Sequence, residues 1–175
     1  MRIVGVNGIH THGATNTDLV LTAMRDRGFE TVDVKLPWRS WFSARFAGAE
    51  DGRKVAQASE HGDIIIAHSF GCLRSWHAHK IKKYKAIFCI APAMSRRAKW
   101  QYPNRIECWF SPDDKAVLAG SFLPFHPFGA AGTKGFRQAG IRHYAAPGCS
   151  HGGYFYGDRL TVLCDHIERA AQGLA

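Results

Sequence analysis

The sequence predicts an α/β protein, a three-layer α/β/α sandwich built on a mainly parallel six-stranded sheet. Three observations carry this. Strand-like apolar runs alternate with helix-like segments along the whole chain, the pattern of parallel strands joined by crossover helices. Asp63-Ile64-Ile65-Ile66-Ala67 is apolar without alternation, as a central strand buried on both faces requires. The chain has 175 residues, 46% hydrophobic and 21% charged, which suits one domain with a substantial core rather than a disordered chain.

The elements follow in order. Ile3-Val4-Gly5-Val6 reads as a short buried strand. Thr15-Asn16-Thr17 offers a helix N-cap, and Asp18 to Arg27 reads as a helix closed by Gly28. Thr31 to Leu36 is a second strand, stopped by Pro37. The aromatic and basic segment Trp38 to Phe46 has no clear period, and Glu50 to Glu60 reads as a helix ended by Gly62. After the third strand, Asp63 to Ala67, a helix runs from about Gly71 to His79. Ala86 to Ile90 and Ile106 to Phe110 are the fourth and fifth strands, each followed shortly by a proline. Residues 117 to 139, rich in Gly, Pro and Phe, read as a long excursion at the sheet edge. Ile141 to Ala145 is the sixth strand. In the last helix, Gly157 to Ala171, Leu160, Leu163, Cys164, Ile167 and Ala171 recur at helical spacing and form one buried face. Neither repeats nor a linker interrupt this single domain.

Composition removes several classes of function. No apolar run approaches the roughly 20 residues of a membrane span. No leader-like segment precedes the first strand, so a cytoplasmic location is expected. The five cysteines, Cys72, Cys89, Cys108, Cys149 and Cys164, are odd in number and lack any CxxC pair. That argues against a disulfide framework or a zinc knuckle. The formal net charge of +9 favours anionic partners in general, and no Asp or Glu occurs between Ile64 and Ile106. No nucleic-acid reader motif accompanies that charge, which makes a nucleic-acid partner unlikely. Lys80 to Lys85 joins the third helix to the fourth strand, away from the C-terminal edge of the sheet. Arg96, Arg97 and Lys99 follow the fourth strand on the C-terminal side, where Arg96 and Arg97 are candidates to bind an anionic substrate.

Chemistry concentrates at Ala67-His68-Ser69-Phe70-Gly71, between the clearest strand and a helix. A serine on so sharp a turn projects above the sheet, and only small neighbours fit. This is the nucleophile-elbow pattern G-x-S-x-G with alanine at the first position. The competing reading is that Ser69 only caps the helix. A serine hydroxyl needs a base to take its proton. His151, in Pro147-Gly148-Cys149-Ser150-His151-Gly152-Gly153, follows the last strand on a glycine-flanked loop that can bring its ring over Ser69. His143 lies inside a strand and His126 in the long excursion, which leaves them weaker competitors. The acid should follow the fifth strand, where Asp113 and Asp114 are both candidates. It would fix the imidazole tautomer. An oxyanion needs backbone donors: one from Phe70, the other from the loop Asn7-Gly8-Ile9-His10, with Ile9 preferred and His10 next. His10 and His12 share one loop, but no carboxylate accompanies them, and no metal is expected. His10 is instead a candidate substrate contact. The aromatics flanking this edge, among them Trp38, Trp41, Phe42, Phe125 and Phe128, either line an acyl pocket or fill the core beneath irregular loops.

With Asn7-Gly8-Ile9, Ala67 to Gly71, Asp114 and Gly148 to His151 in that order, nearly the whole chain resembles the α/β-hydrolase superfamily, as a minimal member without a lid. The stretch Ala67 to Leu73 is also similar to the small serine hydrolases related to retinoblastoma-binding protein 9 and YdeN. The alanine at position 67 and the His-rich first loop depart from the commonest superfamily pattern. The resemblance favours Asp114 as the acid, because Asp114 to Val117 matches a D-x-x-V turn common after this strand. It implies an esterase working through Ser69, His151 and Asp114, without a cofactor, on a small acyl substrate. Thioesterase, amidase and acyltransferase chemistry would use the same groups. The alternative is a noncatalytic protein of the same fold that binds an anionic partner.

Overall fold

The computed structural model describes residues 1–9, 16–37, 39–122 and 128–173, with the side chains at positions 41, 42 and 45 excepted. His10, His12, Trp38, Phe125 and His126 thus lie outside the described residues, as do the Trp41 and Phe42 side chains.

The strands are β1 (Arg2–Val6), β2 (Glu30–Asp33), β3 (Ile64–His68), β4 (Ala86–Ile90), β5 (Ile106–Phe110) and β6 (Arg142–Ala145). They form one sheet in the order β2-β1-β3-β4-β5-β6, and every pairing is parallel. All five residues of β3 and all five of β4 are buried, because helices cover both faces. On one face, Ile3, Ile64, Ile66, Phe88 and Ile90 pack with Val20 and Met24 of α1 (Asn16–Asp26) and with Leu163 and Ile167 of α6 (Gly157–Gln172). On the other, Val4, Val6, Ile65, Ala67, Ile87 and Cys89 pack with Val55 of α2 (Trp41–Ala58) and with Cys72 and Ala78 of α3 (Gly71–Ala78). Alternate residues of one strand therefore belong to two separate cores, the period-2 consequence of a pleat buried on both sides. All five cysteines are buried free thiols.

Two segments differ from the sequence expectation. The aromatic stretch and the helix expected from Glu50 form a single 18-residue helix, α2, capped by the Ser40 hydroxyl accepting from the Ser43 amide at 3.1 Å. Gly48 and Gly52 obscure its helical pattern, but Gly52 serves packing. A Cβ there would collide with His77 and come within 2.9 Å of the Arg74 carbonyl oxygen on α3. The excursion from 117 to 139 is not all loop: α4 (Lys115–Ser121) and the short α5 (Ala131–Lys134) bracket it.

The order of the strands reverses between β1 and β3, since the chain leaves β1 for the edge strand β2 and returns to the other side. Open α/β sheets bind ligands at such a switch point, outside the carboxyl ends of the strands. The segments leaving β1 and β3 there are Asn7 to Ile9 and Ser69 to Phe70.

Candidate active site

Ser69 has φ 56°, one of only two non-glycine residues with positive φ among those described. That backbone costs about 1–3 kcal/mol and persists only where its surroundings enforce it. The Ser69 amide donates to the Ile90 carbonyl at 2.9 Å, and the Ser69 carbonyl accepts from Cys72 and Ala93 at 3.1 and 3.2 Å. The tightness of the turn explains its glycine. A Cβ at Gly71 would strike the Val6 carbonyl oxygen and lie 2.8 Å from that of Asn7. At position 67 the strand leaves room for a methyl group, and Ala67 is fully buried. Gly8 approaches the turn from β1, where an added Cβ would sit 3.1 Å from the Ser69 Cβ.

The structure brings together the three side chains singled out from sequence. Ser69 and His151 line one cavity, and His151 Nδ1 donates to Asp114 Oδ2 at 2.8 Å. Asp114 is fully buried. Its other oxygen, Oδ1, accepts from the Val117 amide at 3.0 Å and caps α4. One aspartate thus serves both as the helix cap and as the partner of the imidazole. Asp113 is exposed and turns away to accept from the Gly148 amide at 2.7 Å, steadying the start of the His151 loop. The Ser69 hydroxyl and the His151 ring are not hydrogen-bonded to each other. The amides of Ile9 and Phe70 donate to no group among the described residues.

The cavity measures about 190 Å³. Beyond Ser69 and His151, its described walls are Ile9, Ala93, Ala116, Val117, Gly120 and Phe128, an apolar set of mostly small residues. Phe128 thus lines the pocket, whereas Trp100 packs in the core. Arg96 and Arg97 stand outside it. The Arg96 guanidinium donates to the Gly135 and Lys134 carbonyls at 2.8 and 2.9 Å. Both arginines border a separate open depression with Arg137, which among the described residues shares Phe128 alone with the cavity. His143 is tied down elsewhere, accepting from the Phe136 amide at 3.0 Å.

Two residues of this region were not legible as site residues. His68, 6% exposed, donates from Nε2 to the His151 carbonyl at 3.0 Å, its ring 4.7 Å from the His151 ring. Burial, reinforced by repulsion from His151, pulls its pKa down to about 3, which keeps it neutral. Arg74 on α3 is 1% exposed and bonds the loop after β1. The signal available for Arg74 was its spacing, one helical turn after Gly71, which already abuts that loop. Among the described residues no cluster of His, Cys, Asp and Glu could hold a metal, and no helix is long and apolar enough to cross a membrane.

This fold is that of the α/β hydrolases, and solved structures of that class match nearly the full chain. The mouse alpha/beta hydrolase domain-containing protein 10 superposes with a TM-score of 0.70 at 10% identity, covering 99% of this chain and 90% of that one. A serine hydrolase without a lid from Xanthomonas campestris gives 0.58 at 16% identity, covering 98% and 81%. The ydeN gene product of B. subtilis gives 0.59 at 12% identity and covers 98% of both chains. No family model and no curated protein sequence matches the chain.

Proposed function

We propose that this protein is a serine hydrolase that cleaves carboxylic esters of short apolar acyl groups. The observation that carries the reading is the buried Asp114 carboxylate bonded to His151 Nδ1, with His151 and the left-handed Ser69 on the wall of one cavity. The bond leaves His151 Nε2 free to act as base toward Ser69. Ser69 Oγ attacks the acyl carbon while Nε2 takes the hydroxyl proton, and the amides of Ile9 and Phe70 bind the oxyanion. The intermediate collapses, the ester C–O bond breaks, and His151 gives the proton to the leaving alkoxide. Water, deprotonated by His151, then attacks the acyl-enzyme. The second collapse expels the Ser69 oxygen, which recovers its proton and releases the carboxylic acid. No cofactor is needed for any step.

The cavity supports the acyl preference. It is smaller than the roughly 300–1,000 Å³ of sites for drug-sized ligands, and its described walls carry no charge apart from what His151 acquires in turnover. Arg96, Arg97 and Arg137 would meet only the far end of a substrate that passes Phe128, so an anionic leaving group is their natural client.

A fluorophosphonate probe tests the core of the reading: it should label the wild type at Ser69 and leave Ser69→Ala unlabelled. A panel of p-nitrophenyl and carboxylate-bearing esters of increasing acyl length refines it, with the highest kcat/KM expected for short chains. The double variant Arg96→Gln, Arg97→Gln should raise KM for the charged esters and spare neutral ones. Absence of labelling, together with no turnover across the panel, would instead favour a binding protein of the same fold.

A further inference from the structure

Arg74 is the most deeply buried cation among the described residues. Burial pulls its pKa below the usual arginine value, and the Asp51 carboxylate opposes the shift; an arginine stays charged under such conditions. Its Nε donates to Asp51 Oδ2 at 3.1 Å. Its Nη2 lies 3.0 Å from the same oxygen, at an angle too poor for a hydrogen bond, and contributes charge pairing alone. Nη1 points the other way and donates to the carbonyls of Asn7 at 2.8 Å and Gly8 at 3.0 Å. Asp51 is held in turn by Arg39, Nη2 to Oδ1 at 2.8 Å. A chain of charge thus runs from α2 through α3 to the loop that leaves β1.

The Gly8 carbonyl and the Ile9 amide belong to one peptide unit. A peptide is planar, and with no cis bonds among the described residues its C=O and N–H point in opposite directions. Drawing the Gly8 oxygen down onto Arg74 therefore aims the Ile9 N–H the opposite way. Glycine at position 8 leaves the orientation of that peptide plane to its contacts rather than to side-chain sterics, and the Arg74 bond is one of those contacts. A turned plane would point the carbonyl where the donor stands now. The cation behind the carbonyl also polarises the unit and makes the N–H a stronger donor. Arg74 touches the second donor residue as well, its guanidinium carbon lying 5.0 Å from the centre of the Phe70 ring.

We infer that Arg74 is a positioning residue for oxyanion stabilisation, setting the direction of the Ile9 amide through the Gly8 carbonyl. This rests on the hydrolase reading above. Its opposite is that the Arg74–Asp51 pair only joins α3 to α2, which would make it a matter of stability alone.

The test uses Arg74→Met and Arg74→Lys. Asp51 keeps its bond to Arg39 in both, so neither variant strands a buried charge. Active sites are counted from the end point of fluorophosphonate labelling, and kcat and KM for p-nitrophenyl butyrate are expressed per titrated site. Arg74→Met should lower kcat about 10²-fold, the cost of one oxyanion donor. KM and the midpoint of the pH–rate profile should stay unchanged. Affinity for butylboronic acid, whose Ser69 adduct is a tetrahedral anion, should fall by the same factor. Arg74→Lys, which keeps the charge and can reach one carbonyl, should lie between. If Arg74→Met only lowers Tm, and kcat per site stays within about threefold of wild type, the positioning role is wrong and the hydrolase reading stands. A wild type that neither labels nor turns over would remove both.

Discussion

Replacing His68 by glutamine tests the electrostatics of the elbow through stability, independently of any substrate. Glutamine places an amide N–H where His68 carries Nε2–H, so the bond to the His151 carbonyl at 3.0 Å can be kept while titration is abolished. His68 has a pKa of about 3 in the folded chain against 6.5 for the free side chain. Above the unfolded value neither state binds a proton there, and the group adds no pH dependence. As pH falls below 6.5 the unfolded chain takes a proton that the buried ring refuses, so stability drops until the folded pKa is reached. At pH 5 the gap is about 1.5 units, and at 1.36 kcal/mol per unit the loss is about 2 kcal/mol. His77, His79, His143 and His166 are also shifted downward by burial, but they are common to wild type and variant. The informative quantity is therefore a double difference. Urea unfolding of both proteins at pH 7.5 and pH 5 should show wild type losing about 2 kcal/mol more than His68→Gln on acidification. A double difference inside the roughly 0.5 kcal/mol scatter of independent effects would mean that His68 titrates normally in the folded chain, and that its burial beside His151 does not suppress protonation.

Two further outcomes are expected. Asp114→Asn should lower kcat about 10⁴-fold by permitting the wrong imidazole tautomer, while Asp113→Asn, which alters only the bond to Gly148, should change it about tenfold at most; ester hydrolysis by the two variants compared at equal folded concentration decides this. Gly71→Ala should destabilise the protein by about 3 kcal/mol, the upper end of overpacking costs, because its new methyl group meets the backbone oxygens of Val6 and Asn7; an unchanged urea midpoint would show that the elbow can relax.

The parts of this protein that were legible in the sequence are those where one local signal suffices. The run Ile64-Ile65-Ile66 leaves no alternative to a central strand, and a serine followed by a glycine immediately after it fixes the sharp turn. The parallel sheet follows from alternation of elements, whereas the strand order and register depend on which strands meet in space. What was not legible depends on partners distant in the chain. α2 was split because Gly48 and Gly52 break its helical pattern, although their reason is the close approach of α3. α4 is hidden by the Gly, Pro and Phe content of residues 117 to 139, and only the Asp114 side chain on the Val117 amide marks its start. Arg74 counted as one positive charge among many, since nothing near it in sequence reveals that Asp51 and the Asn7 and Gly8 carbonyls surround it.

Asp114 gives each of its two oxygens a different duty, one to the first turn of α4 and one to the imidazole. A carboxylate so engaged cannot swivel, and the ring it faces inherits that immobility. The proton arrangement that a reaction would need is thus laid down when α4 winds, long before any ligand arrives, and little entropy is left to be lost on arrival. Moving this carboxylate elsewhere in the fold would accordingly forfeit a helix terminus along with the orientation of the His151 ring.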